Sequence, residues 1–281
     1  MREWGSAGIL TKTLTPYNPT ALTPRHPNTN SLFTEKIMTI NTQTVTISNK
    51  DIDIDAYLAI PDRVGIYPAI IVIQEIFGVN DHIRDVTRRI AQEGYIAIAP
   101  AIYQRFAPGF ETGYSMADIE IGRQYKEQTK AAELISDIQA TIDYLYSLPQ
   151  VQKTGVGTIG FCFGGHVVYV VSTLEDIKVT ASFYGAGITT ATPGGGQATV
   201  KVTPQIKGTI YAFFGMLDAS IPQKQVDEIE NALTRYQIPH RVFRYENADH
   251  GFFCDQRASY NAKAAKSAWG HVLELFSLLK S

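Results

Sequence analysis

The sequence predicts an α/β fold, a doubly wound and mostly parallel sheet with an N-terminal antiparallel edge hairpin, and three observations carry that expectation. Apolar runs rich in β-branched residues recur at residues 69–73, 96–99, 156–159, 179–184, 209–214 and 241–245, as strands buried on both faces do. The stretches between them carry helix signals, and strands alternating with helices build a parallel sheet. Residues 44–47 and 52–60 instead alternate polar and apolar side chains, which fits half-buried antiparallel strands ahead of the parallel core.

Taken in order, residues 1–40 read as a disordered or loosely docked arm and 41–281 as the folded domain. The arm carries Pro16, Pro19, Pro24 and Pro27 among Ser, Thr and Asn with no sustained apolar period. Gly8-Ile-Leu10 is too short for a signal-peptide core. After the hairpin and the strand at 69–73, Asn80 or Asp81 caps a helix that Gly94 ends. Residues 127–146 read as a long amphipathic helix stopped before Pro149, and 258–279 close the chain as another helix. Two long connections, 101–126 and 185–207, leave the carboxyl ends of strands and should frame a pocket. Pro193-Gly-Gly-Gly196 in the second resembles a phosphate cradle, but no Lys-Ser or Lys-Thr follows and no helix opens there, so it reads as a mobile surface loop.

A chain of 281 residues is long enough to bury one large core. The net charge of −2, with Lys and Arg scattered, gives no footprint for nucleic acid and none for an anionic membrane. No run approaches the roughly 20 apolar residues of a membrane-spanning helix. Two cysteines cannot make a disulfide framework, and a free thiol suits a reducing, cytoplasmic setting.

The chemistry is concentrated in Gly160-Phe-Cys162-Phe-Gly164-Gly165, between the strand at 156–159 and an apolar helical run. Glycines on either side of a nucleophile let the chain turn sharply from strand into helix and lift the side chain out of the sheet. This is a nucleophile elbow with cysteine in the usual place of serine. In the α/β-hydrolase order an acid and then a histidine must follow. Asp218 stands in the loop after the run 209–214, and His250 lies in Ala248-Asp-His-Gly after 241–245. Open α/β sheets gather such residues above the carboxyl ends of their strands. The run 69–73 also ends in a carboxylate, in Gln74-Glu75-Ile76-Phe77-Gly78. A carboxylate beside a thiol disfavours the thiolate, so Glu75 is expected to hold Cys162 neutral until substrate arrives.

Together Gln74-Glu-Ile-Phe-Gly-Val-Asn80, the elbow, the Asp218 loop and Asp249-His-Gly-Phe252 resemble the dienelactone hydrolase (carboxymethylenebutenolidase) family from about residue 42 to 280. The resemblance implies an α/β-hydrolase fold and hydrolysis of a small ester or lactone without a cofactor. It assigns Cys162 as nucleophile, Asp218 and His250 as the rest of the triad, and Glu75 as the partner of the resting thiol. The N–H groups of Ile76 and Phe163 map to its oxyanion hole. Some members grip the substrate carboxylate with an arginine four residues after the histidine, where this chain has Cys254. That leaves Arg105, Arg123 and Arg257 as candidates for the contact, and Tyr184 matches an aromatic facing the pocket in relatives.

Cys162 with His166 and His250 with Cys254 form a Cys2His2 set on paper. His166 is directed back along its helix, and neither pair has zinc-ribbon spacing, so no metal is expected. Two rivals to hydrolysis remain, a thiol redox sensor built on Cys162 and Cys254 and a small-molecule binder without catalysis. The first requires the two sulfurs within disulfide reach.

Overall fold

The computed structural model describes residues 38–50 and 52–280, so the expected arm lies almost wholly outside the described residues. The described residues fall in one compact unit. Its centre is an eight-stranded sheet in the order β1-β2-β4-β3-β5-β6-β7-β8. The expected hairpin is β1 (Ile40–Asn49) and β2 (Ile52–Pro61), paired antiparallel, and β2 joins β4 (Ile96–Pro100) antiparallel. The other strands, β3 (Tyr67–Ile73), β5 (Val151–Phe161), β6 (Ile177–Phe183), β7 (Thr209–Gly215) and β8 (His240–Tyr245), run parallel with β4.

β3 shows why the apolar runs are continuous. Ile70 and Val72 pack on one face with Ile83, Val86 and Ile90 of α1 (Asp81–Gln92) and Ala268, Val272 and Phe276 of α6 (Ala262–Ser277). Ala69, Ile71 and Ile73 pack on the other with Leu134, Ile138 and Ile142 of α3 (Ala131–Ser147) and Val167 and Val171 of α4 (Phe163–Val171). Every position from Ala69 to Ile73 is covered, so no polar alternation survives. At about 1.5–3 kcal/mol for each fully buried aliphatic side chain, this double layer drives the fold.

Asn80 is the cap of α1, its side chain accepting from the Ile83 N–H, and Gly94 follows that helix at φ +84°. Some expected elements differ. The connection 101–126 contains a helix, α2 (Met116–Gln128), and the expected helix 127–146 begins only at Ala131, because Thr129 and Lys130 are extended between the two. β5 starts at Val151 rather than 156, with Gly155 at φ +134° beside a register shift against β6. Helix α5 (Gln223–Arg235) connects β7 and β8. Among the described residues no helix is long and apolar enough to cross a membrane.

The strand order places β3 between β4 and β5, so successive connections leave β3 toward opposite edges of the sheet. That is the switch point at which a crevice opens beyond the strand ends. Glu75 and Ile76 follow β3 there, and Cys162 and Phe163 follow β5.

Candidate active site

Cys162 caps the N-terminus of α4 at φ 54°, ψ −116°, in the left-handed half of backbone space that a side chain rarely enters. Such strain costs on the order of 1–3 kcal/mol and persists only where the surroundings impose it. Here they are backbone. A Cβ on Gly160 would lie 2.1 Å from the Gly164 oxygen, and one on Gly164 would lie 2.4 Å from the oxygen of Ile73. One on Gly165 would lie 2.3 Å from the oxygen of Phe183. The glycines therefore serve close approach between β3, β5, β6 and α4, while the strained turn itself is made by Cys162. Sequence reading assigns the turn to the glycines; the structure divides the work.

Asp218 follows β7 and His250 follows β8. His250 Nδ1–H donates to Asp218 Oδ2 at 2.6 Å, and the other carboxylate oxygen accepts from the Ser220 N–H (2.8 Å) and hydroxyl (2.5 Å). Burial works against the Asp218 carboxylate, but the bonds and charge of His250 and the Ser220 donors outweigh it and hold its pKa below the usual value. Burial also opposes the imidazolium of His250. The negative charge of Cys162, with hydrogen bonds to Asp218 and Cys162, overcomes that and raises its pKa to about 10. His250 thus lies between Asp218 and Cys162 and interacts with both side chains.

Glu75 is buried at 1 % exposure, which pushes its pKa up against the pull of Arg257 and His250. Arg257 Nη1 donates to its Oε1 at 3.0 Å. Gly251, at φ +80°, makes that possible, since a Cβ there would meet the Arg257 guanidinium at 2.4 Å. The carboxylate expected to restrain the thiol is therefore paired with a cation, three positions along the chain from Cys254.

Cys162, Phe163, Ile76, Asp218, Ser220, His250, Arg257, Arg123 and Lys126 all line one cavity of about 390 Å³. Among the described residues no hydrogen bond uses the N–H of Ile76 or of Phe163, and that of Phe163 is in the first turn of α4. A larger groove of about 700 Å³ between β1 and α3 holds none of these groups.

Two expected contacts fall elsewhere. Arg105 donates to both carboxylate oxygens of Asp137 and lies on a different surface, away from Cys162, because the buried Asp137 on α3 captures it. Tyr184 is fully buried, its ring centroid 5.1 Å from that of His250, so it backs the imidazole rather than facing the cavity. His166 is no partner of Cys162 in a metal set, since its Nδ1 pairs with the Ala186 carbonyl and its Nε2 with the Thr199 hydroxyl. Sequence reading also missed Lys126 and Ser220. The signal for the first was legible: Ser115 and Asp118 form a capping box that opens α2 and carries Arg123 and Lys126 to the cavity.

The family model of the dienelactone hydrolase family matches residues 54–279. The chain belongs to the dienelactone hydrolase family. A protein of Synechocystis sp. (strain ATCC 27184 / PCC 6803 / Kazusa), proposed to be a carboxymethylenebutenolidase, is 59 % identical over 84 % of this chain and 96 % of its own length. A protein of Escherichia coli (strain K12), proposed to have the same activity, is 32 % identical over 79 % of this chain and 81 % of its own. A crystal structure of a proposed dienelactone hydrolase from Klebsiella pneumoniae subsp. pneumoniae MGH 78578 superposes with a TM-score of 0.78 at 29 % identity, covering 85 % of this chain and 99 % of that one. This dienelactone hydrolase-like chain has the family's α/β-hydrolase fold and is a hydrolase acting on ester bonds.

Proposed function

We propose that the protein hydrolyses a small ester or lactone through a covalent thioester on Cys162. The observation that carries this reading is the strained Cys162 at the head of α4, coupled to a histidine that Asp218 holds at 2.6 Å. The Cys162 thiolate attacks the substrate carbonyl carbon, and the carbonyl oxygen becomes an oxyanion held by the N–H groups of Ile76 and Phe163. As the oxyanion collapses, the ester C–O bond breaks. His250 gives its proton to the leaving oxygen, which in a lactone stays tethered to the acyl group. Neutral His250 then takes a proton from water, the hydroxide adds to the thioester, and the C–S bond breaks to return the thiolate–imidazolium pair.

Arg257 gives Glu75 a part in this cycle. It lines the cavity while it holds Glu75, so a carboxylate on the substrate competes for the same guanidinium. Loosened from Arg257, Glu75 becomes the base for any Cys162 that is still protonated. Arg123 and Lys126 add positive charge to the same wall, which favours an anionic substrate. The redox alternative has less support: both cysteines are free, and the Cys254 thiol is turned to the Tyr114 oxygen at 3.3 Å.

The decisive experiment compares wild type and Cys162→Ala on p-nitrophenyl acetate and on cis- and trans-dienelactone. Cys162→Ala should fold normally and lose at least about a thousandfold in kcat/KM, and mass spectrometry of quenched wild type should show an acyl group on Cys162. Retained turnover in Cys162→Ala would exclude the thioester.

A further inference from the structure

Behind the cavity wall lies a second cluster, of which the cycle above uses only Glu75. Glu75, His82 and Cys254 each place one potential ligand atom so that all lie within 4.8 Å of one another. The three residues are buried, at 1 %, 3 % and 0 % exposure. Glu75 Oε2 and His82 Nε2 are both buried with no hydrogen-bond partner, an unusual condition for two polar atoms in one small space. No spacing rule announces this set. Glu75 follows β3, His82 sits in the first turn of α1, and Cys254 follows β8, so only the fold brings them together.

We propose that Glu75, His82 and Cys254 form a binding site for a borderline-soft divalent cation, Zn2+ in the first instance, that turns the hydrolase off. The donor set is one thiolate, one imidazole and one carboxylate, which suits Zn2+ and Co2+ rather than Mg2+ or Ca2+. The surroundings already provide outer partners: Arg257 holds the opposite carboxylate oxygen, and the Tyr114 oxygen, itself held by Asn80, accepts from Cys254. Burial, with help from Arg89 and Arg257, depresses the His82 pKa to about 3, which keeps the imidazole lone pair free. Burial and the Glu75 charge raise the Cys254 pKa to about 11, so metal uptake must expel one proton to solvent as the S–Zn bond forms. Ligand atoms around tetrahedral zinc lie about 3.6 Å apart, so the cluster must tighten by about 1 Å from its outer bound. The Arg257 charge opposes a dication, and the intervening Glu75 carboxylate and the new Cys254 thiolate offset it. The inhibitory half of the proposal rests on the hydrolase reading, because coordination removes Glu75 from exchange with Arg257 and Cys162.

Cys162→Ala leaves Cys254 as the chain's single cysteine, which makes a cobalt titration of that variant unambiguous. Expected are one bound Co2+ per chain, a thiolate-to-cobalt charge-transfer band in the near ultraviolet, and displacement by Zn2+. Adding Cys254→Ser should abolish the band, and adding His82→Gln should weaken binding at least about tenfold. No charge-transfer band, or binding indifferent to both changes, would overturn the site. In the otherwise native enzyme, Zn2+ should inhibit ester hydrolysis reversibly with chelator, and Cys254→Ser should be active but resistant. Undiminished inhibition of Cys254→Ser would assign the effect to Cys162 and His250 and overturn the regulatory claim. Since the cobalt titration uses an inactive variant, its outcome is independent of the thioester mechanism.

Discussion

The elbow at Cys162 and the wall formed by α2 face each other across the cavity, and they are built in opposite ways. Every residue of α4 is buried, whereas Gly122 is the one buried residue of α2. Both nonetheless dock through glycine: Gly164 lies against the oxygens of Ile73 and Gln74, and Gly122 against the oxygen of Ile76, where a Cβ would come within 2.4 Å. The loop after β3 is thus clamped from both sides, with Ile76, the proposed oxyanion donor, between. In the proposed mechanism, catalytic geometry comes from the buried side of that clamp. On the same proposal, specificity is left to the exposed side, where side chains can change at little cost to the fold.

The largest effect should come from breaking the buried side. Gly164→Ala drives a methyl group into backbone that cannot rotate away, which should cost about 1–3 kcal/mol and displace the Phe163 N–H and Cys162 together. Activity should fall at least about a thousandfold, with a lowered midpoint in chemical denaturation; near-normal turnover would show that the clamp tolerates widening. Gly122→Ala tests the exposed side. It should shift Ile76 and reduce kcat about ten- to a hundredfold while stability changes little, since α2 buries so little else.

Glu75→Gln separates the two halves electrically. Removing its charge leaves Arg257 unpaired near Cys162, so iodoacetamide should alkylate Cys162 several times faster near neutrality. Hydrolysis should fall about tenfold or more if Glu75 moves a proton during turnover. If neither rate moves, Glu75 is a structural acid. A smaller effect is expected of Lys126→Met and Arg123→Met. Each should raise KM for carboxylated lactones roughly tenfold, or about 1.4 kcal/mol, and leave neutral p-nitrophenyl esters unaffected. Equal losses on both substrates would mean that α2 shapes the cavity rather than selecting charge.

The mildest test is of pH. The folded pKa of His250 is raised from 6.5 to about 10, so its contribution to stability is fully present below pH 6.5 and is lost as pH rises through about 10. Asp218 is depressed from 3.8, so its contribution is present above that value and is lost as pH falls through the folded pKa. Chemical denaturation at pH 5, 8 and 10 should show the alkaline loss in wild type. Cys162→Ala should flatten it, because the negative charge that does most to raise His250 is gone.

The sequence by itself determined the parallel core, the order of Cys162, Asp218 and His250 along the chain, and the place of Glu75 at a strand end. These were legible because burial on both faces of a strand leaves an uninterrupted apolar run, and because backbone crowding at the elbow excludes any side chain at Gly160 and Gly164. Tertiary structure decided the rest. α2 was hidden because a helix with one buried residue has no apolar stripe to read, although its capping box was present. Arg257 rather than Arg105 lines the cavity because Asp137, distant in sequence, holds Arg105 and because Gly251 leaves room for the Arg257 guanidinium. Glu75, His82 and Cys254 meet only because β3, α1 and the loop after β8 converge at one corner of the sheet. Long-range pairing of this kind depends on the sum of packing across the whole domain, which leaves no periodic mark in any local stretch of chain.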